Sequence, residues 1–252
     1  MPTAKTYSQE TPESDSEYDF SEYNADGRLH YYDRVFEGTL SVVGRNMSQV
    51  HILMTKLARW LFGGWKTLEF DDMPGTIWTV KIENPDQVSF ELNQIGTATV
   101  YFRAKPFSKW FLNSMSGGIP LNSKVLFDTD IPLDINLNNT FDFTAGNQTF
   151  TINNVGDWYT RPKITVTGSF SQITIKLGLK GYTYSALVIP GDSLVFDCQN
   201  QMVTKNGLNV MKNVIGEPFE FSPGANILTI NANGTGKVLV LFDYNFINMA
   251  VI

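Results

Sequence analysis

Residues 191–211, GDSLVFDCQNQMVTKNGLNVM, constrain the fold of this chain more than any other stretch. Pro190 keeps the residue before it out of the helical region, because the proline ring crowds its upstream neighbour. Ser193–Cys198 then alternates apolar and polar residues, the period of a strand with one buried face. A polar turn, Gln199–Gln201, leads into a second strand, Met202–Lys205. That strand ends on Asn206-Gly207, the dipeptide that most readily takes the positive φ angles of a tight hairpin turn. The expectation is a β-meander with no reactive group in it.

The same grammar runs through the second half. Short strands are expected at Val125–Asp128, Phe141–Phe143, Gln148–Ile152, Lys163–Thr167, Gln172–Leu177, Ala186–Ile189, Ile227–Ile230 and Lys237–Phe242. Asn233-Gly234 and Thr235-Gly236 are expected to break the last pair. No helical stripe runs through this half, and strands at this spacing predict a β-sandwich. Phe111–Asn122 (FLNSMSGGIPLN) has two adjacent glycines, a proline and no periodicity, so it reads as a linker.

The first half differs. Residues 1–26 are acidic and Ser-rich, with too little apolar surface to offset their ordering entropy alone. Tyr7, Tyr18, Phe20 and Tyr23 nevertheless give this arm docking points, so it is read as a segment that orders against something else; the alternative is a tail with no fixed partner. Leu29–Val43 reads as a strand pair around Gly38. Val50, Leu53, Met54, Leu57 and Leu61 form one apolar stripe, which predicts a helix over Asn46–Phe62. Asn46 with Gln49 supplies a capping box, and Gly63-Gly64 a left-handed stop. Strands at Trp65–Asp72, Ile77–Glu83 and Thr97–Arg103 complete an α+β unit. The expected division is an arm at 1–26, an N-terminal domain at 27–110, a linker at 111–122 and a sandwich at 123–252.

Composition narrows the function classes. A formal charge of −6 argues against a nucleic-acid binder, which needs a basic face to displace counterions from phosphate. One cysteine, Cys198, excludes an internal disulfide and a cysteine-based zinc site. No apolar run approaches the ~20 residues of a membrane helix, and Met1–Asp19 is polar and acidic, so a soluble protein made in a reducing compartment is expected. Hydrophobic residues make up 42% and charged residues only 17%, which suits an all-β protein that buries surface against neighbours.

No catalytic constellation emerges. His30 and His51 have no Asp, Glu or Cys at a metal-ligand spacing. Glu69, Asp71 and Asp72 precede Met73-Pro74-Gly75 and read as a surface turn; as a glycosidase pair they would have to be held apart across a cleft. Cys198 has no histidine in its half of the chain and reads as a small core residue. Trp158, Tyr159 and Arg161 are the candidates for a sugar or partner contact, although the residues around them match no galectin sugar motif. The expectation is therefore no enzyme, no metal and no cofactor.

Taken in order, several segments resemble the distal tail proteins (Dit) of siphophages. They are Asp26-Gly27-Arg28-Leu29, the helix to Leu61-Phe62, Leu68-Glu69-Phe70-Asp71-Asp72-Met73-Pro74, and Thr99–Phe107. Arg161–Thr165, the Pro190–Met211 meander and Pro223–Ile230 follow in the second half. One departure is that the chain begins with the acidic arm and not with the family's initial strand. The resemblance implies a mainly β protein: an N-terminal α+β ring-forming domain with one helix, then a galectin-like β-sandwich. It implies a structural virion protein, assembled in the host cytoplasm and carried at the tail tip. Its implied partners are copies of itself in a homohexameric ring (one ring or two stacked), the tail tube protein, a tail-associated tip protein and receptor-binding or baseplate proteins. It implies neither sequence-specific nucleic-acid binding nor a membrane. Tyr18, Phe20, Tyr23, Arg28 and Arg34 are the expected subunit contacts. A carbohydrate-binding adhesion module is the alternative.

Overall fold

The computed structural model describes residues 3–10, 17–19, 28–61, 63–73, 75–82, 90–92, 95–110 and 139–247. The chain divides into two compact units. The first comprises Met1–Asp71, Ile77–Ser108 and Ile247–Ile252, and the second Asp72–Thr76 and Lys109–Phe246. The expected linker at 111–122, its Gly117-Gly118 and the expected strand at Val125–Asp128 lie outside the described residues.

The first unit contains a short antiparallel ladder of Ser8–Glu10 (β1) and Glu17–Asp19 (β2). Arg34–Val43 (β3) is one continuous strand and not the expected pair. The residues before it make a single bridge, Ala4 to Tyr31, so the partner of this segment is the N-terminal arm. Helix α1 spans Met47–Leu61 and is capped as its sequence dictates. The Asn46 side chain accepts the Gln49 backbone N–H at 2.9 Å, and the Gln49 side chain accepts that of Arg45 at 2.8 Å. The reach back to Arg45, one residue beyond the cap, makes this a stretched capping box. Gly64, at φ 62°, makes the left-handed stop, whereas Gly63 is extended.

Lys66–Glu69 (β4), Thr76–Ile82 (β5), Phe90–Leu92 (β6) and Ile95–Ala104 (β7) follow, and Ser108–Trp110 (β8) closes this stretch. β3 pairs with β7 over ten residues, from Arg34 opposite Ala104 to Val43 opposite Ile95. β5 pairs with β7 and β4, and β6 extends the other part of β7. Phe36, Trp78, Val80 and Ala104 form a small core, with Leu68, Phe70 and Phe102 packed on it. Phe36 stands edge-on to both Trp78 (5.1 Å) and Phe70 (5.5 Å), an arrangement worth ~0.5–1.5 kcal/mol per pair beyond burial. Val50 and Met54 of α1 pack with Val42 of β3, so the predicted stripe is the face the helix buries.

The second unit is built from Thr140–Phe143 (β9), Gly146–Asn154 (β10), Lys163–Ser169 (β11), Ile173–Leu177 (β12), Lys180–Tyr184 (β13), Leu194–Asp197 (β14), Met202–Lys205 (β15), Leu208–Asn209 (β16), Val214–Gly216 (β17), Gly224–Ala232 (β18), Thr235–Leu241 (β19) and Asn245–Phe246 (β20). One sheet runs β10-β18-β12-β13-β17 and the other β16-β15-β14-β11-β19-β9. Inward residues of both, among them Ile152, Ile175, Tyr182 and Ile230 from the first and Ile164, Phe196, Val203 and Val240 from the second, share one buried cluster. This is the expected sandwich of antiparallel sheets. The connection from β18 in the first sheet to β19 in the second turns at Asn233-Gly234, whereas Thr235 and Gly236 lie inside β19 and do not break it. Lys180–Tyr184, absent from the expected strands, is a strand paired along its length with β12.

Ala186–Ile189 is not a strand. It makes one bridge, Phe170 to Val188, because its other carbonyls are engaged elsewhere: Leu187 O accepts Lys205 Nζ at 2.8 Å, and Ile189 O accepts the Asp192 N–H at 3.0 Å.

Candidate functional site

The described residues contain no group of three or more His, Cys, Asp and Glu side chains placed to hold a metal ion. His51 is exposed on α1, and Asp71 and Asp72 are exposed on a turn closed by the Thr76 N–H to Met73 O bond of 3.2 Å. Cys198 is fully buried in the sandwich core, and desolvation pushes its thiol up to about 11. A thiol held neutral and out of solvent is no nucleophile.

The arm begins by pairing with its own chain. Lys5 N–H donates to His30 O, Tyr32 N–H donates to Thr3 O at 2.9 Å, and the Lys5 ammonium lies 5.4 Å from the centre of the Tyr32 ring. Tyr18 falls in β2, paired with Gln9. Phe20 and Tyr23 lie outside the described residues. Arg28 is partly exposed.

Arg34 is placed differently from what its charge suggested. It is 9% exposed, its guanidinium lies 4.7 Å from the centre of the Trp78 ring, and its Nε–H donates to the Pro106 carbonyl at 3.0 Å. Burial holds its pKa below the ordinary arginine value. Nothing in its sequence neighbourhood marks it as internal except the alternation of β3, in which Arg34 and Phe36 share a face. The surface charges nearby belong to Arg103 and Lys105, which face Asp33 at 2.8 and 3.8 Å.

Trp158, Tyr159 and Arg161 sit on a bolted segment of the second unit. Asn154, buried at the end of β10, accepts the Gly156 N–H at 3.1 Å and donates to Trp158 O at 2.9 Å. Trp158 N–H donates to Asn245 O at 3.1 Å, and the Asn245 side chain donates to Tyr159 O at 3.1 Å. A Cβ on Gly156 would lie 2.7 Å from Asn245 O, so only glycine lets this turn approach β20. The two rings are half-buried and edge-to-face at 5.7 Å. Arg161, exposed, has its Nε 3.7 Å from a Glu220 carboxylate oxygen. The backbone is rigid, and the rings partly cover one another. Sequence reasoning found these aromatics but not Asn154 and Asn245, which set them; an asparagine two residues before a glycine is the one local signal available.

Side-chain contacts interlock the Gly191–Met211 meander. Asp192 receives Lys205 Nζ at 2.7 Å, Asn206 Nδ2 at 2.7 Å and the Ile189 N–H at 3.1 Å. These donors, the Lys205 hydrogen bond foremost, pull its carboxyl down to about 2. Asn206 and Gly207 carry φ angles of 51° and 81°, as the hairpin reading requires.

Comparison with known proteins agrees with this architecture. Residues 155–246 match the family model for the siphovirus-type tail component, C-terminal domain. No curated protein matches the chain by sequence. Among solved structures, the Dit protein (gp 19.1) of SPP1 superposes with a TM-score of 0.70 at 13% identity, over 98% of this chain and 89% of that one. That protein is described as a paradigm of the hub adsorption apparatus in phages infecting Gram-positive bacteria. The likeness to the Dit family read from the sequence is therefore upheld: residues 155–246 form a siphovirus-type tail component C-terminal domain, carried on a chain with the fold of a distal tail protein.

Proposed function

We propose that this chain is a non-enzymatic distal tail hub that joins the tail tube to the tail-tip or baseplate components that recognise the host. The observation that carries the reading is the tail-component C-terminal domain set in a Dit-like fold that extends over nearly the whole chain. In this reading the N-terminal domain, residues 27–110, closes a homohexameric ring, and the galectin-like sandwich holds receptor-binding proteins. Ring closure requires one heterologous contact used six times, and the low charge content of the chain suits permanent interfaces. A net-acidic ring would let DNA pass without adhering. The protein would be assembled in the host cytoplasm and reside at the virion tail tip.

Residues 8–25 of the arm, with Tyr18, Phe20 and Tyr23, are proposed to order on the neighbouring subunit beside Arg28. Negative-stain electron microscopy and native mass spectrometry of the purified protein test the hub. A ring of six, single or stacked, is expected. A strict monomer at high concentration, alone and beside the tube protein, would overturn it. Deleting residues 8–25 leaves the Thr3–Lys5 pairing in place; an unchanged hexamer after this deletion would remove the arm from the interface.

The half-exposed Trp158 and Tyr159, beside an exposed Arg161, favour one second reading, a carbohydrate-binding adhesion module. Binding to cell-wall polysaccharide that Trp158→Ala abolishes, with the oligomer intact, would promote it over the hub.

A further inference from the structure

The chain contains two Asn-Gly dipeptides, Asn206-Gly207 and Asn233-Gly234. In such a pair the glycine backbone nitrogen can attack the asparagine Cγ, because no side chain stands in the way. The glycine nitrogen gives up its proton and forms a new bond to Cγ, the Cγ–Nδ2 bond breaks, and the carboxamide nitrogen takes up a proton and leaves as ammonia, so that a succinimide results. Water then opens the ring to aspartate or isoaspartate. In a folded chain the attack requires the carboxamide to leave its partners.

Both carboxamides are held, but by different chemistry. Asn206 Oδ1 accepts the Ser193 N–H at 2.8 Å, and Nδ2 donates to the Asp192 carboxylate at 2.7 Å. Asn233 Oδ1 accepts the N–H groups of Ser171 and Gln172, both at 3.0 Å, and Nδ2 donates to the Ser171 hydroxyl at 2.7 Å. The consequence of conversion therefore differs. A carboxylate at 233 keeps both backbone donors, which bind a charged acceptor more strongly, and the Ser171 hydroxyl can turn to donate as well. At 206 a carboxylate sets one oxygen against Asp192 where an N–H now donates, and Lys205 already sits on Asp192 at 2.7 Å. An isoaspartate would also add a backbone atom to a two-residue turn whose register is Lys205 opposite Leu208.

We propose that Asn206 is a latent deamidation site, restrained by the Asp192 carboxylate, and that its conversion opens the β15–β16 hairpin while conversion of Asn233 to aspartate leaves its own turn closed. The test is peptide mapping by mass spectrometry of the full chain aged at mildly alkaline pH, folded and in urea. Both sites should convert far more slowly in the folded chain. Asp192→Ala should accelerate conversion at 206 about tenfold to a hundredfold, the factor for one lost charge-assisted hydrogen bond, with 233 unchanged as the internal reference.

The variants Asn206→Asp and Asn233→Asp decide the consequence even if Asp192→Ala fails to fold. The first should lower the melting temperature by several degrees and admit protease between residues 199 and 211, and the second should do neither. Conversion at 206 in the folded protein at the urea rate would overturn the proposal. So would an unchanged 206-to-233 ratio in folded Asp192→Ala, or an Asn206→Asp protein as stable as the parent.

Discussion

Arg34→Ala separates two roles for one charge, a contact between subunits and a support inside one. The side chain is buried against a fully buried Trp78, with 4.7 Å between guanidinium and ring centre, and it donates one hydrogen bond to Pro106 O. A desolvated cation–π contact is worth about 2 kcal/mol, and a hydrogen bond from a charged donor about 1.5–3 kcal/mol. Relief of the desolvated guanidinium, visible in its lowered pKa, returns part of this. A net loss of about 2–3 kcal/mol remains. For a unit of roughly 100 residues that lowers the melting temperature by about 10–20 °C. Arg34→Met, which retains an apolar stem over Trp78, should recover part of the loss. Scanning calorimetry measures the shift, and native mass spectrometry below both transitions reads assembly. An unchanged melting temperature with loss of self-association would refute the internal role and return Arg34 to the interface that its charge suggested.

Asn46→Ala removes the acceptor for the Gln49 N–H and should cost about 1 kcal/mol, read as a lower urea midpoint at constant slope; an unchanged midpoint would show that the cap is idle. Cys198, with its thiol at about 11 and no exposure, should resist thiol reagents at pH 8 until urea unfolds the sandwich, and labelling of the native protein would contradict the packing. Asp192 titrates near 2 in the folded chain against an ordinary 3.8, so its stabilisation is present above about pH 4 and is lost as pH falls toward 2. Asp192→Asn should therefore flatten part of the acid limb of stability, and superimposable urea midpoints from pH 5 to 2 would sink that assignment.

Sequence alone carried the local elements of this protein. The α1 helix was legible because its stripe, its Asn46 cap and its glycine stop act within a few residues of one another. The β14–β15 strands and the turn into β16 were legible because Asn206-Gly207 takes its φ angles irrespective of what surrounds it. The ordered motifs also pointed to the Dit family, and the siphovirus-type tail component model matches residues 155–246. What the tertiary structure decided was everything that depends on a distant partner. β13 was hidden because Lys180-Gly181-Tyr182-Thr183-Tyr184 has little aliphatic character; it becomes a strand because β12 and β17 flank it and Tyr182 and Tyr184 fill the core. Ala186–Ile189 has the composition of a strand but lacks a continuous partner, since its carbonyls serve Lys205 and Asp192. Arg34 looked like a surface charge until the fold set Trp78 beneath it. Turn and cap energies act within a few residues, so they can be read along the chain. Strand pairing and the burial of a charge are settled by groups tens of residues away, and only the folded structure brings those groups together.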